Sequence, residues 1–336
     1  MTDRIAVVTG GAGFIGSHAV DSLLARGFSV RVVDDLSGGR LANLAHVLDG
    51  GRVAFHEVDI CEIPADSPIF AGADLVLHFA GIGDIVPSVE RPVEYMQTNV
   101  MGTVRVLEAA RAAGVRRLVY SASSSCYGAN PPVPTDEACP IVTEYPYALS
   151  KYLGEQAAFH WMRVYGLSVN SIRIFNAYGT RSRTSGAYGA VFGVFLKQKL
   201  AGKPFTVVGD GTQRRDFVYV TDVAEAFVRA ALVMQDGMTW NLGSGDPQSV
   251  NRLVELLDGP VVHIPKRPGE PDATWADPRA INRDLDWRPT VSFEEGVTTV
   301  VENIDYWADA PLWDVESISR ATRPWFDLLS KSETRG

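Results

Sequence analysis

An apolar run, Ile5 to Val8, breaks at Thr9-Gly10-Gly11-Ala12-Gly13-Phe14-Ile15-Gly16 and gives way at once to helical periodicity over Ile15 to Ala25. Strand, glycine-rich turn and helix in that order predict the first unit of a parallel α/β sheet that binds a dinucleotide. Gly10 and Gly13 let the backbone turn and approach a pyrophosphate, and Gly16 lets helix and strand pack closely. The helix N-terminus, opened by Phe14 and Ile15, presents unpaired N–H groups and the positive end of its dipole to the same anion.

The rest of the first half keeps the rhythm. Apolar runs at Ser29–Val33, Val53–Val58, Leu75–Phe79, Arg117–Ser121 and Ser168–Ile174 alternate with helix-like segments at Val100–Ala113 and Lys151–Val164. This pattern predicts a Rossmann-like, doubly wound parallel sheet covered on both faces. After Asn176 the chain becomes irregular. A loop rich in Gly, Ser, Thr and Arg spans Gly179–Gly189, followed by a helix-like Val191–Ala201, a strand Phe205–Val208, a helix-like Val223–Met234 and a strand Thr239–Leu242. The expected division is a cofactor domain over 1–176, with 217–245 returning to its sheet, and a smaller mixed α/β substrate domain over 177–336.

The 336 residues suit two interlocked domains, at roughly 100 to 200 residues each. With 31 basic against 40 acidic side chains the chain carries a formal charge of −9, which argues against a general nucleic-acid binder. No apolar run approaches the roughly 20 residues that span a bilayer. The first strand begins so early that no signal peptide precedes it, so a cytoplasmic protein is expected. Cys61, Cys126 and Cys139 fit neither a disulfide set nor a metal-ligand spacing, and no metal is expected.

Two further features carry chemistry. Asp34 ends the second strand, where a carboxylate accepts hydrogen bonds from ribose hydroxyls and repels a 2′-phosphate, favouring NAD over NADP. Tyr147 and Lys151 lie four residues apart at a helix start after Pro146, hence on one helical face. A cation near a phenol stabilises phenolate and draws its pKa from about 10 towards neutrality, making it an acid–base group.

The glycine loop, Asp34, His78-Phe79-Ala80-Gly81, Asn99, the serine cluster before Tyr127-Gly128, and Tyr147 with Lys151 occur in one order. In this the chain resembles the extended short-chain dehydrogenase/reductase family, most closely its nucleotide-sugar 4-epimerase branch, from residue 4 to about residue 300. The resemblance implies a proton-transferring role for Tyr147, ribose binding and tuning by Lys151, and a hydrogen bond from Ser123 to the reacting sugar hydroxyl. It also implies adenine contacts from Asp59 and Ile60, pyrophosphate contacts from Phe79, Ala80 and Gly81, and a cofactor-side role for Asn99. A homodimer paired through the helices at 100–113 and 151–164 is expected from the same resemblance.

Dehydratases of this family carry Asp and Glu directly after the catalytic Thr, to remove water across C5 and C6. Ser124 and Ser125 stand there, and neither can serve as that acid or base. Reversible oxidation remains: Tyr147 takes the C4 hydroxyl proton, NAD accepts hydride, and a 4-keto sugar turns over and is reduced on its other face. The resemblance places Asn176, Arg215 and Arg267 on the nucleotide diphosphate, Thr206 and Val208 at the base, and Ser88 on the sugar. Thr274 stands where a bulky residue would restrict the sugar, which implies a roomier pocket, and the resemblance as a whole leads us to expect a UDP-hexose or a UDP-N-acetylhexosamine. The chain departs from UDP-galactose 4-epimerases at Gly83, where they carry lysine, and at Ala190, where they carry asparagine. Two other readings stay open: a nucleotide-sugar oxidoreductase, such as a 4-keto reductase or an epimerase at another carbon, and a non-catalytic dinucleotide sensor. The sensor has no use for Tyr147, Lys151 and Ser123 together.

Overall fold

Seven parallel strands make the central sheet of the computed structural model, which describes residues 4–184, 191–266 and 271–323. They are β1 (Ile5–Thr9), β2 (Ser29–Asp34), β3 (Val53–Glu57), β4 (Leu75–His78), β5 (Arg117–Ser123), β6 (Val169–Ile174) and β7 (Thr239–Leu242). Their order across the sheet is β7-β6-β5-β4-β1-β2-β3. β1 pairs in parallel with both β2 and β4, so the winding reverses there and a crevice opens beyond the carboxyl ends of β1 and β4. The Rossmann-like fold expected from the alternating pattern is present. β5 and β6 are buried along their whole length, including the polar residues Asn170, Ser171 and Arg173.

Helices cover both faces. On one, α1 (Phe14–Ala25) and α4 (Val220–Leu232) share a core with the strands through Val20, Leu23, Val223 and Phe227. On the other, α2 (Thr103–Ala112) and α3 (Pro146–Tyr165) pack through Val106, Leu107, Ala110 and Ala158. α3 starts with Pro146 in its first turn and stops at Gly166, whose φ of 72° ends the helix in the left-handed conformation. The helix-like Val100–Ala113 begins instead as a π-helical turn, Gln97–Gly102. A β-carbon at Gly102 would come within 2.6 Å of Ile60, so this turn lies directly on the 60–62 segment.

Thr239–Leu242 pairs with β6 as the seventh strand, so the chain re-enters the first sheet after leaving it. A further core, built from residues after Asn176, forms around Phe192, Phe195, Phe205, Tyr219 and Trp307. Its strands are short: Phe205–Val208 pairs with Val261–Ile264, and Arg214–Arg215 lies between Gln248–Ser249 and Ala273–Thr274. Of three helices that the apolar pattern did not reveal, Val250–Leu257 and Phe293–Glu302 complete this core, while Arg279–Leu285 packs through Ile281 and Leu285 on the core of the central sheet. Among the described residues no helix is long and apolar enough to cross a membrane. All three cysteines are free thiols.

Candidate active site

The crevice at the switch point is a cleft of about 540 Å³. Gly10, Gly13, Phe14, Ile15 and Gly16 line one side, and Asp34, Asp59, Ile60, Phe79, Ala80 and Gly81 line the rest of its cofactor end. The glycines are there for want of room. Gly10 has φ 68°, and a β-carbon on it would stand 2.7 Å from the Ala80 nitrogen; one on Gly16 would stand 2.1 Å from the Gly10 carbonyl oxygen. Gly13 is the N-cap of α1 with no side-chain cap, so the first N–H groups of that helix face the cleft.

The Asp34 carboxylate accepts hydrogen bonds from the backbone N–H groups of Ala12 and Leu36, each at 2.9 Å. It therefore holds the glycine loop while lining the cleft, and burial raises its pKa against those two bonds. A β-carbon at Gly39 would meet it at 2.7 Å, so the Gly38-Gly39 pair keeps the space beside the carboxylate open. Unfilled glycine space, helix N–H groups and a strand-end carboxylate fit the pyrophosphate and adenosine ribose of NAD.

His78 and Asn99 act behind the cleft wall. The Thr103 hydroxyl donates to the Asn99 carbonyl at 2.7 Å, so it must accept from His78 Nε2 at 2.9 Å. His78 Nδ1 is then the acceptor for the Thr9 hydroxyl at 2.6 Å. The ring is neutral, its pKa lowered to about 3 by burial and by the charge of Lys151. The Asn99 amide accepts from Ile82 N–H at 2.8 Å and donates to the Ile82 carbonyl and to Ser150. Asn99 is thus placed to hold the 81–83 turn against α3, rather than to reach the cleft itself.

The acid–base candidates do not line the cleft; Lys151 stands behind Gly81, which does. Ser123 closes β5, and its hydroxyl lies 2.6 Å from that of Ser125 while accepting from the Ser125 N–H. Tyr147 stacks on Tyr145 and meets Tyr95 edge-on. Burial raises its pKa above 10, and hydrogen bonding to Ser123 and Ser125 pulls it back. Lys151 is buried, its pKa lowered to about 8 by that burial with Glu155 opposing. Its ammonium sits 4.7 Å over the Tyr120 ring, and a β-carbon at Gly81 would be 3.9 Å from Nζ. The expectation that Lys151 draws the phenol towards neutrality is corrected here. Burial, not the ammonium, is the largest influence on the phenol.

The substrate side is less complete. Asn176 and Thr274 meet, the Thr274 hydroxyl donating to Asn176 Oδ1 at 2.6 Å, and Thr274 pairs in register with Arg215. The Arg215 guanidinium donates to the Pro271 carbonyl at 2.9 Å. Val208 lines a second pocket of about 240 Å³ with Gly209, Asp210, Lys266 and Asp272. The Thr206 N–H donates to Gln198 Oε1 at 3.1 Å and its hydroxyl accepts from Gln198 Nε2 at 2.9 Å. Ser88 is also corrected: it is fully buried and donates to the Ile85 carbonyl at 2.6 Å, closing a helical turn. Arg267 and Ala190 lie outside the described residues.

The description "NAD dependent epimerase/dehydratase family" matches residues 6–243, spanning both the cleft and the acid–base cluster. The chain belongs to this family. It is 37% identical over 305 residues to the UDP-glucose 4-epimerase of Mycolicibacterium smegmatis, covering 88% of this chain and 97% of that one. The UDP-N-acetylglucosamine 4-epimerase of Methanobrevibacter ruminantium, solved with UDP-N-acetylmuramic acid, superposes with a TM-score of 0.85 at 30% identity, over 92% and 99% of the two chains. The UDP-glucose 4-epimerase of Thermotoga maritima, solved with UDP-glucose, gives 0.83 at 33%, over 91% and 99%. The chain is an NAD-dependent enzyme of this family, and NAD is its cofactor.

Several polar groups important to this epimerase/dehydratase chain escaped the sequence reading. Asp216 is fully buried and accepts from Ser244, Gly245 and Ala276 backbone N–H groups, fastening three segments beside Thr274. Asp84 and Arg183 line the cleft and pair at 2.6 Å. For Asp84 a signal was available, since an acidic residue directly follows Gly83 at the departure from the family lysine. Arg183 carried none, because its partner lies 99 residues away.

Proposed function

We propose that this chain is a nucleotide-sugar 4-epimerase that inverts C4 of a UDP-hexose or UDP-N-acetylhexosamine. The observation that carries the reading is the grouping of Tyr147 with Ser123, and of Lys151 with Gly81 of the glycine-lined cleft. When bound, NAD supplies reversible hydride acceptance. Gly10, Gly13, Phe14, Ile15 and Gly16 would hold its pyrophosphate, Asp34 its adenosine ribose, Asp59 and Ile60 its adenine, and Lys151 its second ribose. Ser123 orients the C4 hydroxyl, and Tyr147 takes its proton and later returns it to the same oxygen once the sugar has turned its other face. The sugar passes through a 4-keto form, while Asn176, Arg215 and Arg267 hold the diphosphate and the base lies towards Val208. Thr274, small and bonded to Asn176, leaves space beside the sugar. We assign the cofactor half to 1–176 with 217–245, the substrate half to 177–336, and the site of action to the cytoplasm.

Proton NMR of C4 configuration tests the reading directly. The purified holoprotein, without added cofactor, is expected to equilibrate the C4 epimers of at least one of UDP-glucose, UDP-N-acetylglucosamine and UDP-glucuronic acid with no net change in NAD. Oxidation of added NADPH by a 4-keto nucleotide sugar, with no epimerisation, would instead make the chain a reductase.

We also propose a homodimer. On α3, Leu149, Leu153 and Val164 form an exposed apolar stripe at helical spacing, with exposed Met101 on the neighbouring 97–102 turn. Leu153→Glu is expected to halve the mass seen by sedimentation velocity. A wild-type protein that sediments as a monomer overturns the proposal.

A further inference from the structure

Asp84 has no part in the scheme above, yet it faces the same cleft. Its carboxylate accepts from Arg183 Nη1 at 2.6 Å, joining two cleft-lining segments. Its carbonyl accepts from the Tyr95 hydroxyl at 2.7 Å, and the Tyr95 ring meets Tyr147 edge-on with centroids 6.5 Å apart. Tyr95 is completely buried, so the turn that carries Asp84 is fixed relative to the phenol. The turn that bears this ion pair is thereby tied, through the Tyr95 ring, to the ring of Tyr147.

We propose that the Asp84–Arg183 pair sets the ionisation of Tyr147, with Asp84 as a positioning residue that opposes phenolate and Arg183 as the cation that restrains it. This rests on the reading of Tyr147 as the proton-transferring group. A carboxylate close to a phenol disfavours a second negative charge, and an ion-paired one does so less. Burial is the largest influence raising the Tyr147 pKa and Asp84 adds to it, while the hydroxyls of Ser123 and Ser125 act the other way. Cys126 on the β5 side also raises it. Tyr145 stacks on the opposite face of the site, and Lys151 lies one turn along α3. Asp84 is itself raised by burial and held down by Arg183 and Arg91, so loss of Arg183 leaves Arg91 to keep it ionised. Arg91 is shared with Glu94, and both line the cleft.

The NAD-loaded protein is titrated while the near-ultraviolet phenolate band is followed, with Tyr147→Phe subtracted to isolate Tyr147. Asp84→Asn is expected to lower the midpoint by about one pH unit, and Arg183→Gln to raise it. The rising limb of the kcat/KM profile for UDP-glucose, or for the sugar the NMR panel selects, is expected to move in the same two directions. Arg183→Lys, which keeps the charge, restores most of the wild-type midpoint. Midpoints unchanged in both variants, or shifted in the same direction, overturn the proposal even if turnover falls. Full turnover by Tyr147→Phe would instead remove the assignment of Tyr147 itself, and the absorbance midpoints, which need no turnover, would still decide whether the pair controls the phenol.

Discussion

Tyr147→Phe is expected to lower kcat by about 10²- to 10⁴-fold, the usual contribution of a positioned acid–base group, while NAD stays bound. The substitution removes the oxygen that hydrogen-bonds with Ser123 and Ser125 and leaves the ring that stacks on Tyr145 and meets Tyr95. The folded site should therefore survive with its proton carrier gone. KM should change far less than kcat, because the sugar and diphosphate contacts proposed for Asn176 and Arg215 lie elsewhere. Steady-state epimerisation and cofactor retention through gel filtration measure the two halves of this expectation. A variant that turns over at the wild-type rate would reduce Tyr147 to a packing residue. One that has lost both NAD and fold would say nothing against the hydroxyl, and the thermal unfolding curve separates that case.

The largest loss of stability is expected from Glu155→Ala. Glu155 and Arg173 are both buried and joined by three hydrogen bonds, the shortest from Nη2 at 2.7 Å. Glu155 also accepts from the Ser171 hydroxyl at 2.7 Å, and Arg173 reaches on to the Tyr127 hydroxyl at 2.8 Å. Burial works against the arginine charge and the carboxylate more than restores it, so its pKa stands above the ordinary value. Removing the carboxylate strands the guanidinium under the β5–β6 surface, where breaking a buried pair costs about 3–5 kcal/mol. Replacing both residues together, as Glu155→Met with Arg173→Met, is expected to cost far less, since no buried charge is left alone. Urea unfolding of the three proteins checks this: a single variant within about 1 kcal/mol of wild type would mean that water or a shifted side chain reaches Arg173.

This pair sits one helical turn beyond Lys151, and it shows how far the chain could be read in one dimension. Nothing in the sequence singled out Arg173 or Glu155. Their partnership is created by α3 lying across β5 and β6, which brings residues 18 apart in sequence into contact. Asn99 and His78 were legible as motif letters, but their work was not. Asn99 clamps Ile82 and Ser150, and the Thr103 hydroxyl decides which nitrogen of His78 carries the proton.

What the order of residues determined by itself was whatever local chemistry can write: the strand–glycine–helix unit, the carboxylate at the end of β2, the parallel sheet implied by apolar runs, and the Tyr147–Lys151 spacing on one helical face. Period and turn chemistry act over a few residues, so they survive in one dimension. Tertiary structure alone decided the rest. It set the Lys151 ammonium over the Tyr120 ring, buried Ser88 against Ile85, spent the Thr206 N–H on Gln198, and set Asp84 against Arg183. Each of these depends on which long-range neighbour satisfies a buried polar group, and that choice is made by packing across tens of residues.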